Sequence, residues 1–191
     1  MKILLTGATG YIAQRLLPVL VENGHDVYCC VRDKSRFNTE QFPGVEVIEV
    51  NFLKKDSLKI IPADIDVAYY LIHSMSTNER DFDKLEEISA LNFREVIDAT
   101  NARQVIYLSG IINEDNLSRH LLSRKNVEEI LGSGCYKLTT LRAGIIVGSG
   151  SASFEIIRDL VEKLPVMIAP RWLHTVCQPI AIRNVVQFLY G

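Results

Sequence analysis

Thr6-Gly7-Ala8-Thr9-Gly10-Tyr11-Ile12-Ala13 decides how this chain folds. It grows out of the continuous apolar run Lys2 to Thr6, the pattern of a strand buried on both faces. It leads into a helical pattern from Tyr11 to Asn23, closed by Gly24 at the helix C-terminus. The spacing is G-x-x-G-x-x-A. Gly7 lets the chain turn sharply out of the strand, Gly10 lets backbone approach a pyrophosphate, and Ala13 lets the helix sit tight on the sheet. Free amides and the positive end of the helix dipole then meet the anion. The bland alternative is a strand-helix turn that needs glycine for geometry only.

Working outward, the same alternation of strand and helix continues to the end of the chain. Asp26 to Val31, Val45 to Val50, Asp66 to Ile72, Gln104 to Ser109 and a segment within Lys137 to Val147 read as further strands. Ser76, three residues before Glu79, has capping-box spacing and predicts a long helix to about Asn101. Phe82, Leu85, Ser89, Phe93 and Val96 form its apolar stripe. Ile88 and Leu91 lie off that stripe, on a face for a neighbouring helix or for a second copy of the chain in a homodimer. Leu121 to Leu131 and Phe154 to about Lys163 are helical, Thr175 to Gln178 is strand-like, and a last helix begins near Ala181. This is an α/β pattern, a Rossmann-type doubly wound parallel sheet with helices on both faces. It fills residues 1–191 as one domain. The apolar stretch Val185 to Tyr190 runs straight into Gly191, so a longer native chain is expected.

Composition narrows the partners. The chain has 191 residues, 48% hydrophobic and 23% charged, with 21 basic against 23 acidic side chains. The net charge of -2 and the lack of a basic stripe argue against nucleic acid. No apolar run approaches a membrane span, and the N-terminus is not a signal peptide. Cys29, Cys30, Cys135 and Cys177 lack metal-ligand spacing and read as reduced thiols of a cytoplasmic protein. No metal site is proposed.

The second strand ends at Val31-Arg32-Asp33. An acid at that place holds a ribose 2′-hydroxyl, whereas an arginine accommodates a 2′-phosphate. Arg32 takes the strand-end position, with Lys34 and Arg36 nearby, so NADP (as NADPH) is preferred over NAD. Asp33 is adjacent, and a shift of one residue in register would reverse that preference.

TGATGYI from Thr6, VRD from Val31, YLIHSM from Tyr70, YLSG from Tyr107 and LRAGIIVGSGSASFE from Leu141 together resemble one group. It is the atypical short-chain dehydrogenase/reductase superfamily, on its NmrA-like side. LPVMIAPRWLHTVCQPIAIRNV, from Leu164, is similar to bacterial NAD(P)H-binding proteins that look like nucleoside-diphosphate-sugar epimerases. The resemblance implies that Gly7, Thr9, Gly10, Tyr11 and Ile12 line the pyrophosphate and that Arg32 faces the adenosine ribose. It also implies that Asn51 and Phe52 touch the adenine, that Leu71, Ile72 and His73 border the adenine-ribose side, and that Ala143, Gly144 and Ile145 pass the nicotinamide.

The superfamily's chemistry uses a serine with a tyrosine and lysine spaced Y-x-x-x-K. By resemblance, Ser109 is the serine and Lys125 the lysine. Leu121 stands where the tyrosine belongs, and leucine cannot transfer a proton. His120 precedes it, and Tyr107 and Tyr136 lie elsewhere. His73, after the fourth strand, falls at the carboxyl edge where open α/β sheets bind ligands, and is a third catalytic candidate. Arg142 is either an ion-pair partner or a loop-orienting residue. His174, beside Arg171 and Trp172, reads as surface packing or as a substrate cover. The loop Gly148 to Ser153 has the composition of a second anion site. Two functions fit this pattern. One is an oxidoreductase or epimerase-like enzyme acting on a carbonyl or sugar-nucleotide small molecule; the other is a non-catalytic dinucleotide sensor or assembly subunit.

Overall fold

The six apolar runs read as strands of the main sheet form strands, each beginning or ending within about two residues of its sequence signal. The computed structural model describes residues 1–73, 82–111, 119–164 and 177–191, apart from the Ser153 side chain. β1 (Lys2–Leu5), β2 (Asp26–Val31), β3 (Glu46–Glu49), β4 (Val67–Tyr70), β5 (Gln104–Gly110) and β6 (Lys137–Ala143) form one sheet. All pairings are parallel, in the order β3-β2-β1-β4-β5-β6. The connections reverse direction between β1 and β4, which opens a crevice at the carboxyl ends of those strands.

Alternation along the strands sends neighbours to opposite faces and builds a core on each side. Ile3, Leu5, Val27, Cys29 and Val31 pack with Leu16, Leu17 and Leu20 of α1 (Tyr11–Glu22) and with Val185, Val186 and Leu189 of α5 (Ile182–Tyr190). Leu4, Cys30, Tyr70, Val105 and Tyr107 pack with Phe93 and Ile97 of α2 (Phe82–Asp98) and with Val127 and Leu131 of α3 (Arg119–Gly132). Each fully buried aliphatic or Phe side chain contributes about 1.5–3 kcal/mol. The Tyr69 hydroxyl donates to the Leu189 carbonyl at 2.9 Å and ties α5 to the sheet.

Five expectations need correction or relocation. The Ser76–Glu79 capping spacing lies outside the described residues. The long helix ends at Asp98, short of Asn101, because Ala99 and Thr100 bond back three residues to Val96 and Ile97. Its buried face is rotated from the stripe read in the sequence: Glu86, Ser89, Ala90, Phe93 and Ile97 are buried, while Phe82, Leu85 and Val96 are half-buried. Cys177 and Gln178 are not in a strand. The strand lies further on, at β8 (Ile180–Ala181), where it pairs with β7 (Ile146–Val147) in a second small sheet. α4 (Ala152–Lys163) starts two residues earlier than read, because Ser151 caps it by accepting from the Phe154 amide at 3.2 Å. Among the described residues, no helix is long and apolar enough to cross a membrane.

Candidate functional site

The crevice at the carboxyl ends of β1 and β4 is a cavity of about 830 Å³. The glycine turn forms its floor. Gly7 has φ +64°, and a Cβ there would meet the Leu71 carbonyl oxygen at 2.6 Å, so the turn needs glycine for the protein's own packing. Thr6 braces this corner, donating from Oγ1 to the Tyr69 carbonyl at 2.9 Å and accepting from the Leu71 amide at 3.1 Å. No side chain caps the first turn of α1 and no acid stands in it. Its amides are thus left to an anion from outside the fold. Ala13 is buried against the core, as the tight helix seat requires.

Gly7, Thr9, Gly10, Tyr11, Ile12, Arg32, Asn51, Phe52, Leu71, Ile72, His73, Ala143 and Gly144 all border the cavity, as does Ser109. Ile145 does not. Its carbonyl accepts from the Ile180 amide at 2.9 Å, and Ile146 borders the cavity instead. At the rim, Arg32 is exposed and faces the cavity. Asp33 Oδ1 accepts from the Ser35 hydroxyl and amide, at 2.6 and 2.9 Å, which lower the carboxylate's pKa.

At the opposite end the sequence reading needs its largest correction. Lys125 is exposed on α3 and is not part of the cavity wall. Arg124, one residue earlier, borders the cavity together with Leu121 and His120. The Arg124 guanidinium is fixed by the Leu108 carbonyl at 3.1 Å and the Tyr107 hydroxyl at 3.5 Å. His120 and Arg124 thus have the i,i+4 spacing that places two side chains on one helix face. Tyr107 is buried in the core and burial raises its pKa; neither it nor Tyr136 borders the cavity. Among the described residues, the buried Ser109 hydroxyl has no hydrogen-bond partner. Its nearness to the Tyr107 hydroxyl eases that phenol's ionisation, against the burial that raises its pKa.

Beneath His73 lies Glu86, which sequence reading passed over. Glu86 is 4% exposed, and its Oε1 is 3.2 Å from His73 Nδ1 while its Oε2 accepts from the Ser123 hydroxyl at 2.8 Å. Burial opposes its ionisation, but the bonds from His73 and Ser123 and the charge of Arg124 outweigh it and hold the pKa below the ordinary carboxylate value. The His73 and His120 rings are 5.1 Å apart, and both lie near Phe82. An acid placed among Ser89, Phe93 and Ile97 on the buried helix face is the signal that could have found Glu86.

Two further candidates separate from the site. Arg142 pairs with Glu128 at 2.7 Å and does not border the cavity. In the Gly148–Ser153 loop the Gly150 amide donates to Glu155 at 3.0 Å and Ser151 Oγ to the Ile146 carbonyl at 3.0 Å, and neither residue lines the cavity. His174, Arg171 and Trp172 lie outside the described residues.

Residues 7–141 match a family described as NAD(P)H-binding. The chain belongs to the NAD(P)H-binding family. Membership agrees with the resemblance to atypical short-chain dehydrogenase/reductases. A bifunctional pinoresinol-lariciresinol reductase of Linum usitatissimum is 31% identical over 65 residues, covering 30% of this chain and 21% of that one. The chain therefore spans about a fifth of the curated relatives that it matches. A UDP-glucose 4-epimerase from Thermotoga maritima, solved with UDP-glucose, superposes with a TM-score of 0.77 at 16% identity, covering 100% of this chain and 72% of that one. A UDP-glucuronic acid 4-epimerase from Bacillus cereus, solved with NAD, gives 0.76 at 20% identity over 98% and 71%. Those likenesses establish the fold. The uncapped α1 terminus, the glycine corner and the unpaired Ser109 hydroxyl fit the dinucleotide that the family binds.

Proposed function

We propose that this chain is a cytoplasmic NADP(H)-dependent oxidoreductase or epimerase-like enzyme acting on a carbonyl or sugar-nucleotide substrate. The observation that carries the reading is the meeting of unlike groups in one cavity. The glycine corner and α1 terminus offer a phosphate cradle at one end; the unpaired Ser109 hydroxyl, His73, His120 and Arg124 stand at the other. A bound reduced nicotinamide supplies hydride. Ser109 donates a hydrogen bond to the substrate oxygen, and a histidine moves the proton that the missing tyrosine would have moved. Arg32 meets the 2′-phosphate. The exposed Ile88 and Leu91 of α2, with Leu122 of α3, form the face on which a second copy packs. Nucleotide sugars enter as candidates through the epimerases with which the chain shares its fold.

The test is NADPH consumption over a panel of quinones, aldehydes and nucleotide sugars. Turnover that falls by about 10²-fold in Ser109→Ala, the usual cost of one lost oxyanion donor, supports the enzyme. One observation favours a second reading: Leu121 borders the cavity where the tyrosine would stand. Tight NADPH binding with no turnover across the panel identifies a dinucleotide sensor.

A further inference from the structure

Resting on that reading, we propose that Glu86 is the positioning residue of the site, holding His73 so that its Nε2 is the atom that gives and takes the proton. The argument starts from chemistry at Nδ1. An ionised carboxylate has no proton to donate, so the 3.2 Å contact between Glu86 Oε1 and His73 Nδ1 places the hydrogen on Nδ1. The other carboxylate oxygen is occupied by Ser123 from the neighbouring helix, which keeps the group from rotating away. Nε2 is then the ring nitrogen left for the cavity that His73 borders. A histidine whose second nitrogen is fixed by a buried acid has one tautomer and one orientation.

Stability alone is a weak reason for the arrangement. A charge buried between α2 and α3 must recover its lost hydration from its partners, and such groups are often replaceable by apolar ones without loss. In a cavity wall, a buried acid paired with a histidine is instead the kind of group that marks a working site. His120 is a poorer candidate for carrying the proton. Its ring lies 5.1 Å from that of His73, and burial, the Arg124 charge and His73 itself all lower its pKa, which disfavours its proton-carrying form. Arg124 supplies the fixed positive charge in place of Lys125.

The step balances as follows. The substrate carbon accepts hydride, the π pair of its C–O bond moves to oxygen, and that oxygen takes the proton from Nε2 of the His73 imidazolium. Neutral His73 keeps its Nδ1 hydrogen on Glu86 and regains a proton at Nε2 from water. In the oxidative direction, neutral Nε2 accepts the alcohol proton.

The experiment uses the full chain with ¹⁵N-labelled histidine. Long-range ¹H–¹⁵N correlation spectra report which ring nitrogen carries hydrogen, with His73→Gln giving the assignment. NADPH binding is measured by calorimetry on the same samples. The wild type is expected to show His73 protonated at Nδ1, with Nε2 bare. Glu86→Gln, whose amide can face the ring either way, is expected to lose that single tautomer and to bind NADPH within about twofold of wild type. Ser123→Ala, a milder change, should blur the tautomer in the same direction. A wild-type His73 protonated at Nε2 overturns the proposal without any variant. So does a His73 signature that is identical in wild type and folded Glu86→Gln. If the tautomer is as expected but NADPH does not bind, the dinucleotide reading fails instead, and the catalytic use of the pair fails with it.

Discussion

Asp33 Oδ1 accepts from both the Ser35 hydroxyl, at 2.6 Å, and the Ser35 amide, at 2.9 Å, which ties one oxygen of this neighbour of Arg32 into a local turn. Asp33 caps a short turn, and Arg32 faces the cavity. Arg32→Ala is therefore expected to weaken NADPH binding by about tenfold, the lower range for an exposed charge-assisted hydrogen bond, and to leave NADH nearly unchanged. Asp33→Asn should alter neither ratio by more than about twofold. Calorimetric titration of both nucleotides into each variant checks this; an NADH-selective loss in Asp33→Asn would reverse the assignment.

Gly7 is expected to be indispensable to the fold as well as to the ligand. A non-glycine residue at its φ of +64° costs about 1–2 kcal/mol, before the 2.6 Å contact with the Leu71 oxygen is counted. Gly7→Ala should lower the Tm by roughly 5 °C or more, with no nucleotide present. A thermal melt decides it, and an unchanged Tm would contradict the strained corner.

Lys125 and Arg124 should respond in opposite ways. Lys125→Ala is expected to leave NADPH binding and any turnover within about twofold, since that side chain is exposed away from the cavity. Arg124→Lys should reduce turnover by about tenfold, because an ammonium cannot reproduce a guanidinium held by two partners. Side-by-side rates on the best panel substrate test the pair.

Glu86 makes stability depend on acid. Its folded pKa lies below the ordinary value of 4.5, through His73, Ser123 and Arg124, although burial pulls the other way. A depressed carboxylate adds stability above its unfolded pKa, and that share is lost as pH falls through the folded value. The difference in unfolding free energy between wild type and Glu86→Gln should therefore be largest near neutral pH and shrink below about pH 4.5. Urea titrations across pH 3–7 measure it; a difference that grows in acid would show that burial wins.

Much of this protein was determined by sequence alone, because the relevant signals are local. Continuous apolar runs such as Ile3 to Leu5 and Val27 to Val31 specify buried parallel strands, and glycine at position 7 specifies the turn between β1 and α1. Such features depend on residues a few places apart, so the glycine turn, Arg32 at the end of β2 and His73 after β4 could be read in order, while Asn51, Leu71 and Ser109 came through the family resemblance. The tertiary structure alone decided which side chains meet beside the cavity at α2 and α3. Lys125 and Arg124 are neighbours in sequence, yet a helix turns each residue about 100° from the last, so packing of α3 chooses which one meets the cavity. Glu86 reads as an ordinary helical acid until α2 and α3 close over it. Only then do His73, 13 residues away, and Ser123, 37 residues away, become its two partners. Contacts at that separation depend on how the helices dock, and no local pattern of residues encodes them.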